Sequence, residues 1–371
     1  MIDLLTPFRS FLKCKNVCTD NNVFRLHYKI TVIMLLMFTL IVTSKQFFGE
    51  PIHCISGSNK ESDKEAINNY CWIYGTYTLK SQLAGVEGKH MAYAGVGPGK
   101  KGNDDQIKHT YYQWVCFVLL GQAVMFYIPH YLWKSWEGGR LRDLTASLSN
   151  PIVPISLAKE RCEQLVCYFN DLNAYAHNMY ALRFAFCEFL NLCNVVGQIF
   201  LLDLFLGGSF RNYGTAVAAF THSPRVPADM LDFASVNPMD QYFPKLTKCW
   251  FRSYGPSGSI QLKDHLCVLP LNVINEKIFL ILWFWLVILA LMSTLAMLFR
   301  VLVFCLPPLR AVMLMGRLRQ VNRRSVSKLI KHFTFGDWFV LYLLSKNINQ
   351  IVYLDLIKEL SVDMEHKAIT I

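Results

Sequence analysis

Charged side chains are scarce in this chain of 371 residues: Asp, Glu, Lys and Arg make up only 17%, against about 25% in a soluble globular domain. Hydrophobic residues make up 53%, and they are concentrated in a few long runs. This distribution predicts an integral membrane protein rather than a large soluble one. The formal net charge of +11 does not indicate a nucleic acid partner, because the basic residues flank the apolar runs.

Motifs that carry catalysis are also missing from the sequence. It contains no HExxH, GxSxG or Walker motif, and no two of its ten histidines have the i, i+4 spacing of a metal-ligand pair. The glycine-rich stretch Gly95–Gly102 departs from a phosphate-binding loop, since Ala94 stands at the first Gly position and Lys101 at the Ser/Thr position. We therefore expect neither an enzyme nor a bound cofactor.

What the sequence does have is long uncharged runs. The run Tyr111–Trp133 holds 23 residues without Asp, Glu, Lys or Arg, enough to cross a hydrocarbon core of about 30 Å at about 1.5 Å per residue. Aromatic residues crowd both of its ends, as at membrane interfaces. Pro129 is expected to bend this helix, because proline cannot donate a backbone hydrogen bond. We predict four spans, over residues 25–46, 111–133, 184–207 and 276–306.

The third predicted span is less apolar than the others. Asn191, Asn194 and Gln198 fall on one helical face, and Glu188 and Asp203 are ionisable. Polar residues inside a membrane either form hydrogen bonds between helices or face a water-filled cavity. The sequence leaves both alternatives open.

Charge predicts the orientation of the chain in the membrane. The stretch from Arg300 to Lys331 holds eight Lys or Arg and no Asp or Glu, directly after a span, so it should be cytoplasmic. Four spans then place both termini in the cytoplasm. The predicted organisation comprises an N-terminal segment (1–24), extracellular loops (47–110 and 208–275), a cytoplasmic loop (134–183) and a cytoplasmic helical tail (307–371) with two helical pieces.

The twelve cysteines divide by this topology. Cys54 and Cys71 lie in the first extracellular loop, and Cys249 and Cys267 in the second, where an oxidising exterior would pair them. Four cysteines allow three pairings, and spacing does not select one. No CxxC or CxxH spacing among them supports a metal site. The cysteines expected to stay reduced are Cys14, Cys18, Cys116, Cys162, Cys167, Cys187, Cys193 and Cys305.

Several short motifs together resemble one family. They are YYQWV at Tyr111–Val115, KSWEGGR at Lys134–Arg140, YCWIY at Tyr70–Tyr74, YGPSGS at Tyr254–Ser259, LCVLPLN at Leu266–Asn272 and GDWF at Gly336–Phe339. They are similar to motifs of innexins, the invertebrate gap-junction proteins, and of insect innexins in particular. Two cysteines per extracellular loop also fit innexins, whereas vertebrate connexins carry three.

The resemblance implies a fold and a function. The fold would be an all-α integral membrane protein: a four-transmembrane-helix subunit with disulfide-bonded extracellular loops and a helical cytoplasmic domain, assembling as a ring-shaped channel. The ring would be an octameric hemichannel among the lipids of the plasma membrane, made of one innexin or several. It would dock with a hemichannel of the adjacent cell to form a gap junction that passes ions and small metabolites.

The resemblance also implies roles for particular residues. The disulfides would be Cys54–Cys267 and Cys71–Cys249. The segment Met1–Leu12, whose composition fits an interfacial anchor equally well, would fold into the pore as a short helix. Its pore-lining candidates are Met1, Ile2, Asp3 and Arg9. The polar residues 56–68 leave docking compatibility open, so an undocked hemichannel that releases ATP or small solutes is the alternative.

Overall fold

Four long apolar helices dominate the computed structural model, which describes residues 17–56, 61–83, 93–98, 105–150, 154–171, 174–222, 237–316 and 323–370. They are α1 (Asn22–Phe48), α3 (Val115–Glu137), α6 (Ala174–Phe205) and α9 (Pro270–Cys305). Each is long and apolar enough to cross a membrane. The expectation of four apolar spanning helices is confirmed.

Two units divide the chain, and each long helix contributes residues to both. The disulfide unit comprises Val32–Val124 and Val195–Ile288. The terminal unit comprises Met1–Thr31, Met125–Asn194 and Leu289–Ile371.

The disulfide unit contains an antiparallel sheet that the sequence did not predict. Its strands are β1 (His53–Ile55), β2 (Thr76–Leu79), β3 (Gln106–His109), β4 (Leu246–Tyr254) and β5 (Ile260–Val268). They pair in the order β1-β5-β4-β2-β3, so the two strands of the second predicted extracellular loop lie between strands of the first. Helices α2 (Glu61–Tyr74), α7 (Phe210–His222) and α8 (Pro238–Tyr242) also belong to this unit.

The terminal unit is helical in its described residues. Besides parts of the long helices it holds α4 (Arg140–Leu144), α5 (Ile155–Asp171), α10 (Pro307–Met315), α11 (Arg323–His332), α12 (Phe335–Asn347) and α13 (Gln350–Thr370). Apolar side chains of the tail, among them Trp338, Leu344 and Leu356, are buried with Trp133 and Phe184 in one core. Because these aliphatic and aromatic groups leave water together, the tail is an integral part of the unit.

The tail differs from the expectation of two helical pieces, since the described residues after α9 form four helices. Pro307 and Pro308 start α10 as a separate helix, because proline is tolerated in a first turn but not inside a helix. Thr334 precedes α12 and forms a capping box with Asp337. The Thr334 side chain accepts from the Asp337 N–H, and the Asp337 carboxylate accepts from the Thr334 N–H.

Candidate functional site

Two buried disulfide bonds stabilise the sheet, one between two of its strands and one between a strand and helix α2. Cys54 on β1 is bonded to Cys267 on β5, and Cys71 on α2 to Cys249 on β4. These are the pairs implied by the family resemblance. All four cysteines are at most 3% exposed, and the sulfurs of Cys54, Cys71 and Cys267 lie within 4.8 Å of one another. The two bridges therefore sit side by side, and oxidised sulfur offers no thiolate to a metal ion.

Between β4 and its neighbours, polar and aromatic contacts add to these bridges. Lys248 Nζ lies 2.6 Å from the Asp264 carboxylate and donates to the Gly97 carbonyl oxygen at 2.8 Å. The rings of Tyr77 and Trp250 stack with centroids 5.8 Å apart. Burial, and then the neighbouring Asp264, raise the pKa of the Tyr77 hydroxyl well above its ordinary value, so it stays protonated. Such cross-strand pairs stabilise a sheet.

The β4–β5 hairpin ends in apolar side chains that face solvent. At its tip, Tyr254 is 81% exposed and Ile260 is 72% exposed. The turn between them contains Gly258 in the left-handed backbone region. A rigid sheet that presents exposed aromatic and aliphatic groups at one hairpin tip is suited to contact another protein.

The first four residues of the motif YYQWV lie just before α3, and its last residue, Val115, begins the helix. Tyr111–Gln113 forms a 3₁₀ turn and the regular helix begins at Val115. The Gln113 amide donates to the carbonyl oxygens of Trp72 and Ile73, and the Tyr112 hydroxyl to that of Cys71. These carbonyls lie in the last turn of α2, where helix geometry leaves those of Trp72 and Ile73 without a donor from within the helix. The Cys71 carbonyl also accepts from the Gly75 N–H at 3.1 Å.

Other residues of the YYQWV motif, and Gly75 outside it, complete this junction. Gly75, at φ +85°, stops α2 in a conformation that glycine adopts without strain. The Tyr111 hydroxyl donates to the Tyr242 carbonyl oxygen at 3.4 Å. Val115 is fully buried, whereas Trp114 is 60% exposed. The motif therefore seats the start of α3 on the cysteine-bearing end of α2.

Helix α1 begins with a cap and a π-helical stretch. Asn21 accepts a hydrogen bond from the Phe24 N–H and caps the first turn. Leu26–Thr31 is π-helical, a rare geometry that often occurs at functional sites. It carries Tyr28, whose ring stacks on His130 of α3 at 3.7 Å. Pro129, the predicted kink position, is buried beside that stack.

Two clusters anchor the residues just before α1, and sequence reasoning found neither. Asn347 of α12 contacts the Cys18 backbone twice, accepting from its N–H at 2.5 Å and donating to its carbonyl at 3.0 Å. Asn21 donates to Glu188 at 2.5 Å, and Glu188 pairs with Arg300. The available signal was Glu188 itself, because an acid inside a span needs a partner.

The polar face of the third span is mostly buried within the subunit. Asn191 and Gln198 are each 3% exposed. Their side chains are therefore removed from open solvent, while the amide nitrogen and oxygen of Asn191 have no hydrogen-bond partner among the described residues. The pore-lining candidates Met1, Ile2, Asp3 and Arg9 lie outside the described residues.

Comparison with known proteins gives one family. The innexin family model matches residues 20–364. The chain is 47% identical to Innexin inx2 of Drosophila melanogaster over 371 residues, covering 99% of this chain and 98% of the relative. It is 46% identical to Innexin inx2 of Schistocerca americana over the full length of both, and 38% identical to Innexin shaking-B of Drosophila melanogaster over 99% of this chain and 96% of that relative. The chain belongs to the innexin family, whose members are channel-forming gap-junction subunits of the plasma membrane.

Proposed function

We propose that this chain forms an octameric hemichannel that docks, through its disulfide unit, with a hemichannel of the adjacent cell. The observation that carries the proposal is the shared sheet, in which the strands of the second loop lie between strands of the first and two adjacent disulfides join the two loops. A surface made rigid in this way loses less conformational entropy on docking than two free loops would. The channel would pass ions and small metabolites.

The same proposal places both termini in the cytoplasm. Both disulfides lie in the disulfide unit, as expected for an oxidising exterior. The described cysteines of the terminal unit are all unpaired: Cys18, Cys162, Cys167, Cys187, Cys193 and Cys305. The basic stretch Arg300–Lys331 belongs to the terminal unit as well. Reduced thiols and clustered Lys and Arg are both typical of the cytoplasmic side.

We also propose that the segment before α1 folds into the pore, with Met1, Ile2, Asp3 and Arg9 lining it. Support comes from the anchoring of the chain just after that segment, by Asn347 on Cys18 and by Glu188 on Asn21. Pro129 remains our candidate for a gating bend, because its missing N–H weakens α3 beside the Tyr28–His130 stack.

Electrical coupling between paired expressing cells tests the main proposal, with single-cell current recorded alongside. We expect coupling in the wild type and its loss in Cys54→Ser, whereas Cys193→Ser, which removes an exposed unpaired thiol, should couple normally. Absence of coupling despite surface expression of the wild type would overturn the docking proposal. Single-cell current under that condition would favour an undocked hemichannel that releases ATP or small solutes.

A further inference from the structure

An apolar groove of about 600 Å³ runs along the terminal unit between α6 and α9. Its walls include Leu182 and Ala185 of α6 and Val301 and Phe304 of α9. Leu182 and Phe304 are each 60% exposed, and Val301 is 51% exposed. Both helices are long and apolar enough to span a membrane, and the groove lies at their predicted cytoplasmic ends, where lipid chains meet their headgroups.

A cation lies at one end of this groove. Arg310 of α10 is 9% exposed, and its Nε donates to the Val303 carbonyl oxygen at 2.9 Å. Its Nη2 donates to the carbonyl oxygen of Phe304, and its guanidinium lies 5.3 Å from the Phe335 ring centroid. Arg310 thus caps the end of α9, where unpaired carbonyls carry partial negative charge.

Carbonyl groups and an aromatic ring do not neutralise this charge. No carboxylate forms an ion pair with Arg310 in the part of the chain that the structure describes. Arg300 also lines the groove, but it is neutralised by Glu188. Burial lowers the pKa of Arg310 from its ordinary value, as for a cation held away from both water and a counter-ion. The groove therefore carries one uncompensated positive charge.

We propose that this groove binds an anionic glycerophospholipid, with one acyl chain between α6 and α9 and its negatively charged headgroup on Arg310. Charge complementarity selects this occupant. A buried cation needs an anion, and arginine is the residue best suited to phosphate. The apolar walls need a hydrocarbon chain, which free phosphate lacks. The proposal depends on the membrane spans and not on docking, so it can fail or succeed independently of cell coupling.

Photo-crosslinking tests the proposal on the purified full-length channel. The probes are phosphatidylserine and phosphatidylcholine that carry a diazirine in one acyl chain, with labelled peptides mapped by mass spectrometry. We expect phosphatidylserine to label residues 178–185 and 297–304 roughly tenfold more than phosphatidylcholine, the ratio that one charge-assisted contact supplies. Equal labelling by the two lipids would overturn the proposal.

Variants assign the effect to Arg310 and to the groove. Arg310→Gln should reduce phosphatidylserine labelling to the phosphatidylcholine level, and Arg310→Lys should retain part of the preference. Since Arg310→Gln also removes a helix cap, Val301→Trp serves as a second variant that fills the groove and keeps the cation. The matched control is Arg142→Gln, at an exposed arginine outside the groove.

Three results would overturn the assignment. They are wild-type labelling in both Arg310→Gln and Val301→Trp, displacement of the lipid by excess inorganic phosphate alone, or crosslinking of Leu182→Cys to a second subunit through the groove. The second would indicate a simple anion site, and the third a groove filled by protein.

Discussion

Arg300 and Glu188 form a bidentate ion pair: Nε lies 2.8 Å from Oε2, and Nη2 lies 2.8 Å from Oε1. Both side chains are mostly buried, at 17% and 10% exposed. The guanidinium also lies 5.2 Å from the Phe184 ring and 5.3 Å from the Phe339 ring. With Asn21 on Glu188, the pair joins α9 to α6, to α12 and to the start of α1.

Removing one member of this pair should lower the stability of the protein, because the other member is left as a buried charge without a counter-ion. We expect Glu188→Ala to lower the free energy of unfolding by about 3–5 kcal/mol. The double variant Glu188→Leu/Arg300→Met should be more stable than Glu188→Ala, since no charge remains unpaired. Thermal unfolding of the purified protein measures both. The control is Arg142→Ala, which removes an exposed pair worth about 0–1 kcal/mol. A double variant less stable than Glu188→Ala would contradict this account.

The closeness of the two disulfides predicts thiol exchange. In Cys249→Ser, the freed Cys71 thiol remains near the Cys54–Cys267 bridge, because these three sulfurs lie within 4.8 Å of one another. A thiolate in that position attacks a disulfide. Peptide mapping should therefore detect Cys71 bonded to Cys54 or Cys267 in the single variant. Cys71→Ser/Cys249→Ser should keep only the Cys54–Cys267 bond and should couple cells better than the single variant. If Cys249→Ser contained only the Cys54–Cys267 disulfide and a free Cys71 thiol, the predicted exchange would be refuted.

Gln113 should stabilise the disulfide unit by capping α2. Gln113→Ala leaves the carbonyls of Trp72 and Ile73 without their side-chain donor, which should cost about 0.5–1.5 kcal/mol of unfolding free energy. Gln113→Glu should cost more, because it places a negative charge at the negative end of a helix. Surface biotinylation and thermal unfolding measure the two variants. Gln261→Ala, at an exposed position of β5, is the control. Equal stability of the Ala and Glu variants would argue against the capping role.

Gly336 tolerates no side chain, because α12 packs directly on the backbone of α6. A Cβ there would lie 2.2 Å from the His177 carbonyl carbon and 2.3 Å from the Asn178 nitrogen. Backbone atoms cannot yield as a flexible side chain can, so Gly336→Ala should cost at least about 1–3 kcal/mol. Limited proteolysis should cut the tail of this variant faster. Gly316→Ala, with its nearest atom at 3.4 Å, should resist proteolysis like the wild type. Equal rates of proteolysis in the two variants would show that the backbone of α6 can move to accommodate a side chain at residue 336.

Acid should loosen α12 through Asp337. Burial raises the pKa of this carboxyl, but hydrogen bonds from His177 and Thr334 outweigh burial and leave the pKa below its ordinary value. A lowered folded-state pKa contributes stability that is present above the ordinary value of about 3.9 and is lost as pH falls through the folded pKa.

Thr334→Val tests this because it removes one of those donors. We expect the variant to be less stable near neutral pH and to lose less stability on acidification than the wild type does. Hydrogen exchange of α12 between neutral and acid pH measures both. The same pH dependence in the two proteins would exclude the Thr334 contact as its source.

The long uncharged runs in the sequence made the four apolar helices predictable. Within lipid, the backbone N–H and C=O groups of an uncharged run such as Tyr111–Trp133 find no water and must bond to each other. In a helix all of these hydrogen bonds form between residues close in sequence. The four apolar helices could therefore be inferred before any coordinates, and the innexin family could be inferred from its short motifs. The pairing of Cys54 with Cys267 could be inferred only through the family resemblance, because spacing left three pairings open.

The tertiary structure decided whatever depends on two distant segments meeting. The sheet was missed because β1, β2 and β3 are three or four residues long, and β1 and β2 each pair with a strand of the other loop. Such short strands give little periodic signal.

Distant partners also explain the other differences. Nothing near Gln113 in the sequence indicates that it caps a helix ending at Tyr74, and nothing near Glu188 points to Arg300. The sequence determined the spanning helices, because their cause is local hydrophobicity. Only the tertiary structure fixed the shared sheet, the buried ion pair and the groove beside Arg310, because each is formed by residues far apart in the chain.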